Sequence, residues 1–261
     1  MQDSLVPKIF GDRANFRLPV DPKRVAIALG AITVILLALH LGVNLYNHQV
    51  NYTLPQHLTR VVGVDVENSI PTWYSSTLLF VGCGLFTAIA FLKKQTRDRY
   101  TRHWQGLAVL FLLMSLDEAA SLHETVDRAL KVWFNLSGLL YYAWVIPGMI
   151  FVGCVGLAYW KFLKALPPAT RRLFILAGVV YVGGAIGVEI IGGFHAGVHG
   201  RYTLPYLLIT TVEEALEMVG VIVLVYALLN YLQYTIKNLL SYHFASWHSQ
   251  EANETVLSDS Y

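Results

Sequence analysis

The run Leu107-Ala-Val-Leu-Phe-Leu-Leu-Met-Ser-Leu116 passes without a break into Asp117-Glu118, and His123-Glu124 follow within two helical turns. So apolar a run belongs in hydrocarbon or in a protein core. A charged side chain at the centre of a bilayer costs at least about 2.5–3.5 kcal/mol. The chain must therefore fold so that these acids meet partners, a cation or a cavity, and not lipid.

The whole chain points the same way. Its 261 residues are 55% hydrophobic and 14% charged, with mean hydropathy +0.50. These values predict one all-α, polytopic membrane helix bundle with short tails. The formal net charge of +2 carries no sign of a nucleic-acid partner. No cleavable leader is read in the polar, basic first 24 residues, because the apolar run after them is too long for one. Cys83 and Cys154 lie inside apolar runs and read as buried thiols without a disulfide framework.

Six transmembrane helices are expected: Val25 to Tyr46, about Ile70 to Leu92, Trp104 to about Thr125, about Leu139 to Leu163, Leu173 to about Phe194, and about Pro205 to Leu229. Residues 1–24 form a basic tail with Lys8, Arg13 and Arg17, broken by Pro7, Pro19 and Pro22. Residues 25–230 form the membrane domain. Residues 231–261 form a second tail, expected to end in a disordered polar stretch. The longest loop, Asn47 to Ser69, leads into Pro71, which suits a first helical turn. Fifteen of the 19 Lys and Arg fall on the side of the tails, and only Arg60, Arg128, Lys131 and Arg201 on the other. The positive-inside rule then places both termini in the cytoplasm, with the chain in a plasma membrane of the bacterial inner-membrane type.

At 1.5 Å of rise per residue, this orientation sets depths. Asp117 comes about 20 Å up its helix, Glu189 about 25 Å, and Glu213 and Glu214 about 12–14 Å below the outer end of theirs. All fall in the outer half of the bilayer, with Glu217 near its middle. By phase, Asp117, Ser121 and Glu124 share a face within about 60°, as do Thr210, Glu213 and Glu217. His195 and His199 have the HxxxH spacing that suits two ligands on one metal. His40 and Asn44 read as an interhelical hydrogen-bond pair, Asp65 and Glu67 as loop or cap acids, and Tyr141, Tyr142 and Trp144 as an interfacial belt.

Six carboxylates at one depth without a Lys or Arg cannot all be ionised unaided. Protons or cations must neutralise them. Adding histidines makes an oxygen-plus-imidazole set suited to iron, manganese or zinc, of the kind that helical bundles use for di-metal sites. The candidate ligands of one or two divalent metal ions are Asp117, Glu118, His123, Glu124, Glu189, His195, His199, Glu213, Glu214 and Glu217. Solvated boundary residues are the plainer account of His123 and Glu124, and loop residues that of His195 and His199.

The motifs Leu-Asp-Glu-(x)4-His-Glu at 116–124, Glu-Glu-Ala-Leu-Glu-Met at 213–218 and Ile-Pro-Thr-Trp-Tyr-Ser-Ser at 70–76 resemble those of a group of uncharacterised bacterial multipass membrane proteins. A weaker likeness is to the membrane hydrolases that include alkaline ceramidases and progestin-adipoQ receptors. That likeness implies a zinc held by an HxxxH pair, here His195 and His199, with Ser121, His123 and Asp117 as the accompanying residue types. The Ser-x-His spacing, six spans in place of seven, and the surplus of glutamates depart from its pattern.

Three functions fit these readings. The first is an integral-membrane metalloprotein, a metal-dependent hydrolase or di-metal oxidase or oxygenase acting on a lipid-soluble or membrane-proximal substrate. The second is a proton- or cation-translocating protein, for which the apolar inner halves of the third and sixth spans offer little path. The third is an accessory subunit of a membrane complex, or a homo-oligomer, whose acids meet a partner's basic residues.

Overall fold

A computed structural model describes residues 20–49, 55–134 and 137–258, with side chains described as far as residue 239. The tail residues Lys8, Arg13, Arg17, Pro7 and Pro19 lie outside the described residues. Among those described there is no strand. The helices are α1 (Pro22–Gln49), α2 (Gln56–Val62), α3 (Ile70–Gln95), α4 (Thr101–Ala120), α5 (Leu122–Trp133), α6 (Val145–Ala165), α7 (Pro168–Val182), α8 (Glu189–His199) and α9 (Leu204–Ser258). A π-helical turn, Gly183–Val188, joins α7 to α8 without a break.

Five helical stretches are long and apolar enough to cross a membrane: α1, α3, α6, α7 through α8, and α9 over Leu204–Leu239. The α4–α5 pair makes a sixth only when taken together, because it is bent by 72°. Here the expected third span, Trp104 to Thr125, needs correction. Ser121 adopts the left-handed conformation, φ 48° and ψ 48°, and ends α4. The single helical face expected for Asp117, Ser121 and Glu124 therefore does not exist. The reason is local: the Asp117 carboxylate reaches past the end of α4 and accepts the backbone N–H of His123 at 2.8 Å. One acid thus caps the next helix at its first turn.

The C-terminal end also differs from expectation. Backbone helix continues from α9 through Ser258, so residues 231–258 are helical and not a disordered stretch. Pro71 sits in the first turn of α3 as its spacing predicts, behind the Ser69 cap, whose hydroxyl accepts from Thr72 N–H at 3.1 Å. Cys154 is exposed, on a helix that turns its apolar side chains outward, and not buried.

Helix α9 is the centre of the bundle, packing against α1, α3, α7, the π turn and α8. Half of its apolar window is buried (50%), against 11% for α1 and α6. Those outer helices show Ile27, Val34, Ile150 and Leu157 to their surroundings, which is how lipid-facing helices look. Helices α3 and α4 are joined by a reciprocal clasp: Ser76 donates to the carbonyl of Ser115 and Ser115 to that of Ser76, both at 2.8 Å.

Two packed clusters fill the half of the bundle towards the start of α4. Trp104, Phe86, Phe162 and Phe174 form one with Leu228 and Tyr231. Tyr74, Leu78 and Leu79 form the other with Met218, Ile222 and Val225. Trp104 meets Phe162 edge-on at 4.9 Å and stacks on Tyr231 at 4.9 Å.

Glycines bring α9 against the α7–α8 helix. A Cβ at Gly220 would stand 2.8 Å from the backbone nitrogen of Tyr181, and one at Gly184 2.8 Å from the carbonyl oxygen of Glu213. Backbone cannot swing away as a side chain can, so Gly220→Ala is expected to destabilise by roughly 1–3 kcal/mol through overpacking. Gly178→Ala, which meets nothing within 4 Å, should be neutral or stabilising by up to about 1 kcal/mol. Thermal unfolding of the two variants in detergent checks the contrast; equal melting temperatures would dismiss the close contact.

Candidate functional site: an acid-lined cavity

Above the packed clusters lies a cavity of about 1030 Å³. Ten carboxylates line it among the described residues, against Arg128, Lys131, Arg201 and two histidines. The sequence-predicted Asp117, Glu118, His123, Glu124, Glu189, Glu213, Glu214 and Glu217 all line it, so helices far apart in sequence do bring them together.

His195 and His199 do not line it. Their rings stack on each other at 4.7 Å, as the four-residue spacing predicts. His195 has structural work at the start of α9. The Thr203 hydroxyl accepts the N–H of Tyr206 at 3.3 Å, as an N-cap does, and shares a hydrogen bond of 2.7 Å with His195 Nε2. Among the described residues, no three His, Cys, Asp or Glu side chains stand as a ready-made metal site.

The hinge supplies one wall. Asp117 holds His123 twice, through its backbone N–H and through Nδ1 at 3.1 Å. That ring lies against Trp144 at 5.3 Å, and the Trp144 indole N–H donates to Glu189 at 3.0 Å. Glu189 in turn meets the carboxyl of Glu213. Two neighbouring carboxyl groups in a low-dielectric site are not both ionised without a cation beside them.

Deeper, Tyr181 lies beside Glu217. Glu118 and Glu214 have no hydrogen bond or ion pair among the described residues; each has only other charges nearby, Glu118 being Glu214's closest carboxyl influence. Across the bundle, then, Glu213 finds Glu189, while Glu214 and Glu217 face Glu118.

The rim is better neutralised. Glu124 pairs with Arg128 at 3.1 Å on an exposed surface. Asp127 is buried, accepts the N–H of Ala143 at 2.6 Å and pairs with Lys131 at 2.7 Å. The loop between α2 and α3 brings Asp65 and Glu67 over the cavity. The Ser121 hydroxyl beside Glu67 holds its carboxyl below the ordinary carboxylate range. His40 accepts the N–H of Val64 at 3.2 Å and so pins this loop. It joins Asn44 within its own helix, so the pair is not interhelical.

The aromatic belt expectation also changes. Tyr142 is buried, shares a 2.8 Å hydrogen bond with Tyr206, and its phenol is pushed well up by burial. Lys131 and Arg201 lie over the Tyr142 ring at 4.9 and 5.2 Å. Gly193 makes space for that ring: a Cβ there would stand 2.7 Å from Tyr142 Cδ2.

Sequence reasoning passed over Asp127, Tyr142, Trp144, Tyr181, Arg201 and Tyr206 as site residues. The signal for Asp127 was present in the strong amphipathic period of Leu122–Trp133, whose polar face needs something to face. The aromatic residues carried no such signal, since they look like a membrane belt.

Fold and site together define a multi-pass helical membrane protein built around one acid-lined cavity. The chain belongs to a family described as a domain of unknown function (DUF8692), whose model matches residues 26–232. No curated protein and no solved structure matches it.

Because Asp127 alone accepts the buried N–H of Ala143, Asp127→Ala should cost about 1–3 kcal/mol for the orphaned donor. Glu124→Gln breaks only an exposed pair and should cost at most about 1 kcal/mol. Chemical or thermal unfolding separates them; a larger loss in Glu124→Gln would reverse the assignment of roles.

Proposed function

We propose that this is a six-span membrane protein of the inner-membrane type, with both termini cytoplasmic, whose cavity binds a cation taken from the opposite side. The single observation that carries the reading is the floor of the cavity. Glu118, Glu214 and Glu217 line it together, and His123, tied to Asp117, is the base that acts on Glu118 and Glu217. Carboxylates gathered in a low-dielectric site draw cations or protons strongly.

The orientation rests on the Lys and Arg distribution. The clusters of buried apolar residues below Glu217 support entry from the opposite side. That favours a binding cavity over a translocation path.

The chemical class of the cation has two versions. Carboxylates with an imidazole suit one or two divalent ions of iron, manganese or zinc, and such a centre would make the protein a metal-dependent enzyme for a lipid-soluble or membrane-proximal substrate. In the described arrangement these groups surround a space larger than a coordination sphere, within the range of small-molecule pockets. An organic ammonium fits it as it stands.

The test uses purified protein in detergent, with metal analysis and thermal shifts against manganese, zinc and organic ammonium salts. A cation present at 100 times its Kd should stabilise the wild type by about 2.7 kcal/mol. Glu214→Gln should be no less stable than wild type without added cation, because it removes an unpaired enclosed acid. The same variant should lose most of the cation's stabilising effect. If no cation shifts the wild type, the reading fails.

A further inference from the structure

Helix α5 has two faces of opposite character. At about 100° per residue, Leu122, Val126, Ala129 and Trp133 fall within about 60° of one another. All four are exposed, Trp133 by 82%. Glu124, Asp127 and Lys131 lie on the other side of the helix, and all three line the cavity. That side is fixed in place. Asp127 accepts the N–H of Ala143 and pairs with Lys131, whose ammonium stands 4.5 Å from the centre of the Tyr141 ring. The apolar stripe is thereby turned away from the bundle, and Phe134, also exposed, continues it at the helix end.

The chain on either side places this helix. α4 has 20 residues, a rise of about 30 Å, which matches the hydrocarbon thickness of a bilayer. Its length suffices to cross alone, so α5 begins where a span has ended. With α4 set across the bilayer, an axis leaving it at 72° lies nearer the membrane plane than the membrane normal. The next long apolar helix, α6, starts at Val145, so α5 belongs to the connection between two spans. Open water would leave Leu122, Val126, Trp133 and Phe134 uncovered as one apolar patch. The boundary between headgroups and acyl chains takes such a face, and Trp is enriched there. Arg128 and Lys131, off the apolar stripe, are the basic complement of an interfacial helix.

From this arrangement we infer that α5 is an interfacial helix, with the stripe Leu122, Val126, Ala129 and Trp133 seated in lipid at the headgroup–acyl boundary. The occupant of this surface is the bilayer itself and not a second protein. Because the polar side of the same helix lines the cavity, the mouth opens at the level of the headgroups. This needs the chain to cross a membrane, as proposed above, and does not depend on which cation the cavity binds.

Spin labels test it in the full-length protein carrying Cys83→Ala and Cys154→Ala, reconstituted in phosphatidylcholine liposomes. Labels are attached singly to Val126→Cys, Ala129→Cys, Arg128→Cys and Leu157→Cys. Each is probed with oxygen, which concentrates in lipid, and with a water-soluble nickel chelate. Labels at 126 and 129 should favour oxygen and lie about 5–10 Å below the phosphates. The label at 128, about 200° round the helix from 126, should favour the nickel chelate. Melting temperatures close to the parent's confirm that the labelled proteins are folded. Labels at 126 and 129 that favour nickel put the stripe in water and overturn the inference. Labels there that are shielded from both reagents mean that protein covers the stripe, and overturn it as well. Leu157 on α6 is 82% exposed and reports on the membrane reading by itself. If its label favours nickel, that reading falls and the inference with it; if it favours oxygen, a failure at 126 and 129 concerns α5 alone.

Discussion

The contact of α9 with the continuous α7–α8 helix is the constraint on which the site depends. Gly220 lies against the backbone of Tyr181, and Gly184 against the carbonyl of Glu213. In a membrane there is little hydrophobic gain in bringing two apolar helices together, so close backbone approach supplies the attraction. Here that approach has a second effect. It sets Tyr181 beside Glu217 and Glu189 beside Glu213, putting polar groups face to face that would be costly against lipid. The π turn, Gly183–Val188, lies at this contact; such turns rotate the following residues relative to an unbroken α-helix and recur at functional sites. In this chain it immediately precedes Glu189.

A second device works from the other wall. Asp117 is at once the acid at the end of α4, the cap of α5 and the partner of His123. One side chain thus fixes the 72° bend and the orientation of the imidazole. The bend sends α5 across the top of the bundle, so its polar face, with Asp127 and Arg128, becomes part of the rim. Had α4 continued straight, these residues would have followed the helix axis away from α9. Asp117 and Glu118 precede this break; what the break adds to their cavity is the α5 residues His123, Glu124 and Asp127.

How much of this was legible in the sequence follows from the same physics. The apolar runs, their lengths and the acids within them identify a helical membrane bundle directly, because burial of charge in hydrocarbon is too costly to be incidental. Gathering of Glu118, Glu189, Glu213, Glu214 and Glu217 was readable from depth alone. The break at Ser121 was not. Left-handed serine carries no compositional mark, and an Asp capping from four residues earlier looks like an ordinary helical residue. His195 and His199 were legible as neighbours but not in their role, since a cap at Thr203 and a ligand site make the same demand on residue type. The rings were misjudged for a related reason: Tyr142 and Trp144 fit a membrane belt by sequence, and only the glycines of α8 and the position of Glu189 turn them inward.

The two halves of the bundle explain each other. On one side, Trp104, Phe86, Phe162 and Phe174 make a buried aromatic core. On the other, carboxylates surround open space. Unpaired acids weaken a bundle by mutual repulsion and by desolvation, so the stability of the whole has to come from the packed half and the glycine seam. That division lets Glu118 and Glu214 remain without a protein partner. A salt bridge to a local Lys or Arg would satisfy each of them and close the site. Basic residues are present along the cavity, yet Arg128 and Lys131 are paired with Glu124 and Asp127 at the rim, and Arg201 rests on tyrosine. With the acids at the floor unmatched and the basic residues tied up at the mouth, the floor is left to be neutralised by protons or by a bound cation.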